Sequence, residues 1–211
     1  MPVADPHVGN PVKLLCYSSH WLLMMLPRLM RPMACMCLLL GLVPAIEIPD
    51  RTDAPISMFS AARFDGGHIE IKFREVHRLL TDHNFKSLIV SAGGSDDFGV
   101  MTLKCLGEVQ SKGGIMIAVC TQNYGEMTSS PYSSNAELRF AFDEKVKVLP
   151  LKVADIYPPQ PPGGPGHPFD SDDTAKTLCK MVFKGSVVFL DCREKSAREI
   201  AAMIAHALLK K

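Results

Sequence analysis

The chain has 211 residues, of which 47% are hydrophobic and 21% charged, with 23 Lys and Arg against 22 Asp and Glu. That length allows one ordinary domain and an appendage. A formal net charge of +1 gives no electrostatic footprint for nucleic acid and excludes an acidic disordered protein.

The charge is unevenly spread. Residues 1–45 hold six of the twelve Met, three of the seven Cys and the only Trp, but just four charges: Asp5, Lys13, Arg28 and Arg31. The chain therefore divides into an apolar leader, residues 1–50, and a domain, residues 51–211. Without residues 1–45 the balance is 20 basic against 21 acidic residues, so the domain is near-neutral by itself. From Leu14 to Ile46 only Arg28 and Arg31 interrupt the apolar stretch. The longest uncharged run, Pro32 to Ile46, is 15 residues, shorter than the roughly 20 that a membrane-spanning helix needs. Arg28 and Arg31 ahead of this run and Val43-Pro44-Ala45 at its end suit a signal-peptide core, although the stretch before Arg28 is too long for a normal n-region. A signal peptide, membrane association through residues 14–46 and a weakly structured leader all remain open, the last being preferred. No CxxC and no Cys/His pair has zinc spacing. No metal site is expected, and the free cysteines are read as those of a reducing, cytoplasmic compartment.

In the domain, Ile56 to Ser60 forms a short apolar strand that runs into the loop Ala61 to Gly67. Ile69, Phe73, Val76 and Leu80 recur at helical spacing. Leu88 to Val90 is a second strand, closed by Ala92 to Asp97, in which Asp96 and Asp97 read as turn formers. Met101, Cys105, Leu106 and Val109 mark a helix stopped by Gly113-Gly114. Ile115 to Val119 is a continuous apolar run rich in β-branched residues, as in a central parallel strand. A helix over 134–145 has Leu138, Ala141 and Phe142 on its inner side. Val146 to Val153 and Val187 to Leu190 supply the last strands. Between them Tyr157 to Phe169 carries six prolines and three glycines and reads as an extended loop, followed by a short helix over 172–183. Ala197, Ile200, Ala201, Ile204 and Leu208 give the final amphipathic helix. Five buried strands alternating with helices predict an α/β fold, a flavodoxin-like three-layer sandwich with a five-stranded parallel sheet and helices on both faces.

Such sheets bind ligands beyond the carboxyl ends of their strands, where the strand order reverses. For the order 2-1-3-4-5 that point lies between strands one and three, at the loops Ala61 to His68 and Thr121 to Ser133. The second loop runs into Ser134-Asn-Ala-Glu137, which places Glu137 in the first turn of a helix facing the crevice. The same spacing is that of a capping box, in which Glu137 bonds back to the helix N-cap without any function. No Gly-x-Gly-x-x-Gly follows the first strand, which excludes a Rossmann-type hydride-transfer mode. Ser60 lacks the Gly-x-Ser-x-Gly of a nucleophile elbow. The third strand ends in Cys120-Thr121, without the Asp of a receiver domain.

Three stretches together resemble a TIR (Toll/interleukin-1 receptor) domain. Residues Ile115 to Tyr124 form an apolar third strand ending in Thr-Gln-Asn-Tyr. Ser133-Ser-Asn-Ala-Glu137-Leu138 matches a Ser-rich loop and a helix opening with x-Glu-Leu. Val148-Leu-Pro150-Leu151 matches a strand reading Val-x-Pro-hydrophobic. Phe59-Ser60 before Arg63 fits the family's Phe-x-Ser-x-x-Arg start loosely, and the loop Gly93 to Gly99 stands where the family carries its association loop. The resemblance spans roughly residues 54–209, and its middle third is specific.

Many members of that family cleave NAD at the nicotinamide–ribose bond. The resemblance implies NAD as a substrate and not a resident cofactor, with Glu137 as the essential carboxylate. Breaking that bond develops oxocarbenium charge, which a nearby carboxylate stabilises. The helix N-terminus is expected to keep Glu137 ionised, and nicotinamide leaves as a neutral group, so one carboxylate suffices. Ser60 and Ser133 are placed beside the substrate. Arg63 is a forked donor for its phosphates, and Phe64, Tyr124 and Tyr132 offer aromatic surface for the nicotinamide. Ser133 stands where catalytic members often carry Trp. The family also implies self-association, or association with other TIR domains, in innate-immune signalling. Two alternatives remain open: a non-enzymatic interaction module using the Gly93–Gly99 loop, and an enzyme like the nucleoside deoxyribosyltransferases.

Overall fold

A computed structural model describes residues 46–61, 67–90 and 97–210. The elements run β1 (Ser57–Ala61), α1 (His68–Asp82), β2 (Ser87–Ile89), α2 (Phe98–Ser111), β3 (Ile115–Cys120), α3 (Ser134–Asp143), β4 (Lys147–Lys152), α4 (Thr174–Val182), β5 (Leu190–Asp191) and α5 (Ala197–Leu209). The strands form one all-parallel sheet in the order β2-β1-β3-β4-β5. This is the flavodoxin-like α/β sandwich, and its strand order reverses between β1 and β3.

The sheet is covered on both faces, which is why its inner strands are continuous apolar runs. Side chains alternate across a strand, so β1 sends Phe59 to one face and Met58 and Ser60 to the other. Phe59 packs with Phe73, Val76 and Leu80 of α1 and with Ile200 and Ile204 of α5. On the opposite face Met58 meets Leu106 and Val109 of α2, while Met116, Ala118 and Cys120 of β3 meet Leu138 and Ala141 of α3 and Cys179 of α4. Ser60 thus lies on the α3 side, at the carboxyl end of its strand. Ile48, upstream of the expected domain start at residue 51, is buried in the α1/α5 core.

Several boundaries differ from the sequence expectation. Asp97, read as a turn former, caps α2 by accepting from the Gly99 N–H at 2.8 Å. The expected helix over 134–145 ends at Asp143, because Lys145 adopts a left-handed φ of 55° while Val146 N–H closes onto the Ala141 carbonyl at 2.9 Å, a Schellman-type stop. Phe142, expected to face inward, is an exposed residue of α3. The last strand is Leu190–Asp191 and not Val187 to Leu190. A turn bonds the Val187 N–H to the Lys184 carbonyl at 2.8 Å, and only Leu190 and Asp191 pair with β4.

Helix α5 begins with a complete capping box: the Ser196 N–H donates to Glu199 Oε2 at 2.9 Å, and the Glu199 N–H donates to Ser196 Oγ at 3.3 Å. Ser196→Ala is expected to cost about 1 kcal/mol, read as a lower urea midpoint with an unchanged m-value. Among the described residues, no helix is long and apolar enough to cross a membrane. The segment 14–46 lies outside those residues except for Ile46.

Candidate functional site

The site is assembled where β1 and β3 end. After Cys120 the chain turns through Thr121, with the Tyr124 N–H bonded to the Thr121 carbonyl at 3.2 Å. The turn sends Tyr124 back beneath the sheet end, where it is fully buried against Phe183, with ring centroids 5.9 Å apart. Gly125 is then clasped by α3. Its N–H donates to Ser134 Oγ at 3.0 Å, and its carbonyl accepts from Asn135 Nδ2 at 2.9 Å. Cys179 on α4 adds a weak contact from Sγ to the Tyr124 carbonyl at 3.6 Å. The opening residues of α3 therefore fix the loop that carries Tyr124.

This use of Ser134 overturns the capping-box reading of Glu137. The N-cap of α3 is Ser133, whose Oγ accepts from the Ala136 N–H at 3.4 Å. The Glu137 side chain does not return to its own helix end. It crosses to β1, where Oε2 accepts from Ser60 Oγ at 2.5 Å. Ser60 Oγ also lies 2.8 Å from the Tyr124 hydroxyl. All three side chains are withdrawn from solvent, with Glu137 6% exposed, Ser60 1% and Tyr124 0%.

Burial dominates the electrostatics. It raises the Glu137 carboxyl from its ordinary value to about 7, against the opposing pull of the Ser60 hydrogen bond. The helix N-terminus is expected to keep this group ionised; loss of hydration on burial moves it in the opposite direction. The Tyr124 phenol is pushed well above its ordinary value, first by burial and then by Glu137 beside it. Tyr124 consequently keeps its proton and remains a donor. On α2 the Cys105 thiol is raised by burial first, then by Glu108 and Glu137.

The sequence-predicted residues divide into three groups. Ser60, Tyr124 and Glu137 meet in one hydrogen-bonded chain. Ser133 is a helix cap, and Tyr132 packs its ring so closely on Gly99 of α2 that a Cβ there would collide with it. Arg63, Phe64 and residues 93–96 of the expected association loop lie outside the described residues. Sequence reasoning missed the clasp made by Ser134 and Asn135. Its only signal was a pair of amide- and hydroxyl-bearing residues directly after a glycine-containing loop. Thr121, which the sequence places at the end of β3 without a role, has a buried Oγ1 with no partner among the described residues.

Two open depressions flank this region. One, of about 240 Å³, borders the start of α3 at Met127, Ser130, Ser133, Asn135 and Arg139. The other, of about 340 Å³, lies between α1 and the ends of β4 and β5, at His68, Lys72, Asp155 and Arg193. Glu137 lines neither. Among the described residues, no group of three or more His, Cys, Asp or Glu is placed to hold a metal ion. No protein-family model matches the chain, and no curated protein matches it.

Proposed function

We propose that residues 51–211 act as a TIR-like hydrolase that cleaves NAD at the nicotinamide–ribose bond, with Glu137 as the working carboxylate. The observation that carries this reading is the position of that carboxylate. It is buried at the carboxyl end of β1, beside the reversal in strand order, and is held by a strand residue and not by its own helix cap. A buried carboxylate acts at low effective dielectric, where it stabilises developing positive charge more strongly than in water. Among the described residues Oε2 is the oxygen bonded to Ser60, and we assign Oε1 to the ribose.

The ionised form is the one that stabilises an oxocarbenium ion. With the carboxyl raised to about 7, nicotinamide release is expected to climb between pH 6 and pH 8 and then level, and a pH–rate profile checks this. The deciding experiment incubates the full chain and its Glu137→Gln variant with NAD at high protein concentration and measures released nicotinamide. Wild type should release it, and the variant should be slower by at least about 100-fold. Release that survives the substitution removes Glu137 from the site, whereas deoxynucleoside turnover without NAD cleavage points to deoxyribosyl transfer. A second reading, a self-associating module without activity, is favoured by the apolar outward face of α2, where Phe98, Val100 and Leu103 are exposed. Concentration-dependent oligomers with no nicotinamide release select it.

A further inference from the structure

We propose that Tyr124 is a positioning residue for Glu137: its hydroxyl donates to Ser60 Oγ, Ser60 donates to Oε2, and Oε1 is thereby the oxygen left to meet a ligand. A serine has one O–H to give. When Glu137 is ionised that hydrogen goes to the carboxylate, so the 2.8 Å contact between Ser60 and Tyr124 must be donated by the phenol. The direction of the whole chain follows from the one group in it that cannot donate.

Packing alone does not account for these hydroxyls. Tyr124 sits among Met116, Ala118, Leu138, Ala141 and Phe183, where a phenylalanine of the same shape would spare the cost of burying an O–H. The Tyr124 hydroxyl has Ser60 as its partner, and Ser60 is itself buried in a strand whose neighbours Met58 and Phe59 are apolar. The two hydroxyls form one path from the core to the carboxylate. The backbone on either side of Tyr124 is fixed as well, by Thr121 before it and by the Ser134–Gly125–Asn135 clasp after it.

The chain also fixes where a proton goes. Because Ser60 is held as a donor to Oε2, protonation of Glu137 falls on Oε1. The acid form then presents an O–H on the ligand side and the ionised form presents an acceptor there. Without the Tyr124 hydroxyl, Ser60 is free to turn so that its Oγ accepts a hydrogen bond from a protonated Oε2. Among the described residues, the titratable groups facing Glu137 are Tyr124, from the loop after β3, and Cys105 of α2.

The relay itself is tested without turnover; its kinetic arm alone rests on the NAD reading. In the full chain, the infrared carboxyl band that is absent from Glu137→Gln is titrated in wild type, Tyr124→Phe and Ser60→Ala. The midpoint should rise by about half a pH unit in Tyr124→Phe and by about one unit in Ser60→Ala, the sizes expected for losing a remote and a direct hydrogen bond. Nicotinamide release should fall about ten-fold in kcat for Tyr124→Phe, with KM changed less than about two-fold. A Tyr124→Phe variant that titrates at the wild-type midpoint and band position would overturn the proposal and leave Tyr124 a core residue. The ordered midpoints appearing in a protein that releases no nicotinamide would uphold the relay and reject the NAD reading.

Discussion

Glu137→Gln is expected to stabilise the folded protein by about 3 kcal/mol at pH 8 and by almost nothing at pH 4. The sign follows from the direction of the shift. The carboxyl titrates near 4.5 in the unfolded chain and at about 7 in the native one. Below 4.5 it is protonated in both states and contributes no pH dependence. As the pH rises past 4.5 the unfolded chain gives up its proton while the folded chain holds it, and folding loses about 1.4 kcal/mol for each pH unit. The loss stops near pH 7, where the native carboxyl also ionises. Glutamine has the same shape, carries no charge and still offers Ser60 an acceptor, so the variant lacks this loss. Urea denaturation of both proteins at several pH values between 4 and 8 checks it. Because every other titrating group is shared, the difference between the two curves isolates this one. Parallel curves would mean that Glu137 is as well solvated in the folded protein as in the unfolded one.

A group that lowers stability at neutral pH, and that a neutral residue of equal shape would relieve, is what a site gives up for its chemistry. The contrast lies within this chain. Ser134-Asn-Ala-Glu137 and Ser196-Ala-Arg-Glu199 share the same spacing. Glu199 bonds to the Ser196 backbone N–H and hydroxyl, and these bonds hold its carboxyl below the ordinary range. Glu137 leaves its helix end, enters the interior and is raised. Local pattern assigns both residues one role; tertiary structure assigns them opposite ones.

That contrast marks how far the sequence could be read. Four of the five strands follow from composition and period, because strands covered on both faces leave a continuous apolar trace, and the parallel sheet follows from their alternation with helices. The edge strand did not follow, since Val187 to Phe189 have the composition of a strand but sit in and after a turn. Glu137 was legible because topology fixes where the loop after β3 must lead. Its partners were legible only as residues near that point. The bonds that join them span 64 residues for Ser60 to Tyr124 and 77 for Ser60 to Glu137, and they depend on which face of β1 carries Ser60. Ser134 looked like a cap and proved to be a clasp, because Gly125 competes for its hydroxyl and Ser133 takes the cap.

Gly125→Ala is expected to cost about 3 kcal/mol of stability and to raise the titration midpoint of Glu137. Gly125 has a φ of +84°, a conformation that costs a residue with a Cβ about 1–2 kcal/mol. The new Cβ would also stand 2.8 Å from Cys179 Sγ, so one of the two must move, at a further cost of about 1–3 kcal/mol for an overfilled core. The backbone of Gly125 is held by Ser134 and Asn135, so the strain passes to its neighbour Tyr124 and from there to Ser60 and Glu137. Adding Cys179→Ala separates the two costs. It removes the sulfur that the Cβ meets and leaves the backbone conformation as it was, so the double variant should recover part of the stability beyond the sum of the single changes. The Glu137 midpoint should return toward wild type in the double variant if Tyr124 is displaced by the clash. It should stay raised if the strained φ alone moves the loop. Strict additivity of the two substitutions, with the midpoint unchanged in both, would show that the clasp does not transmit strain to the carboxylate.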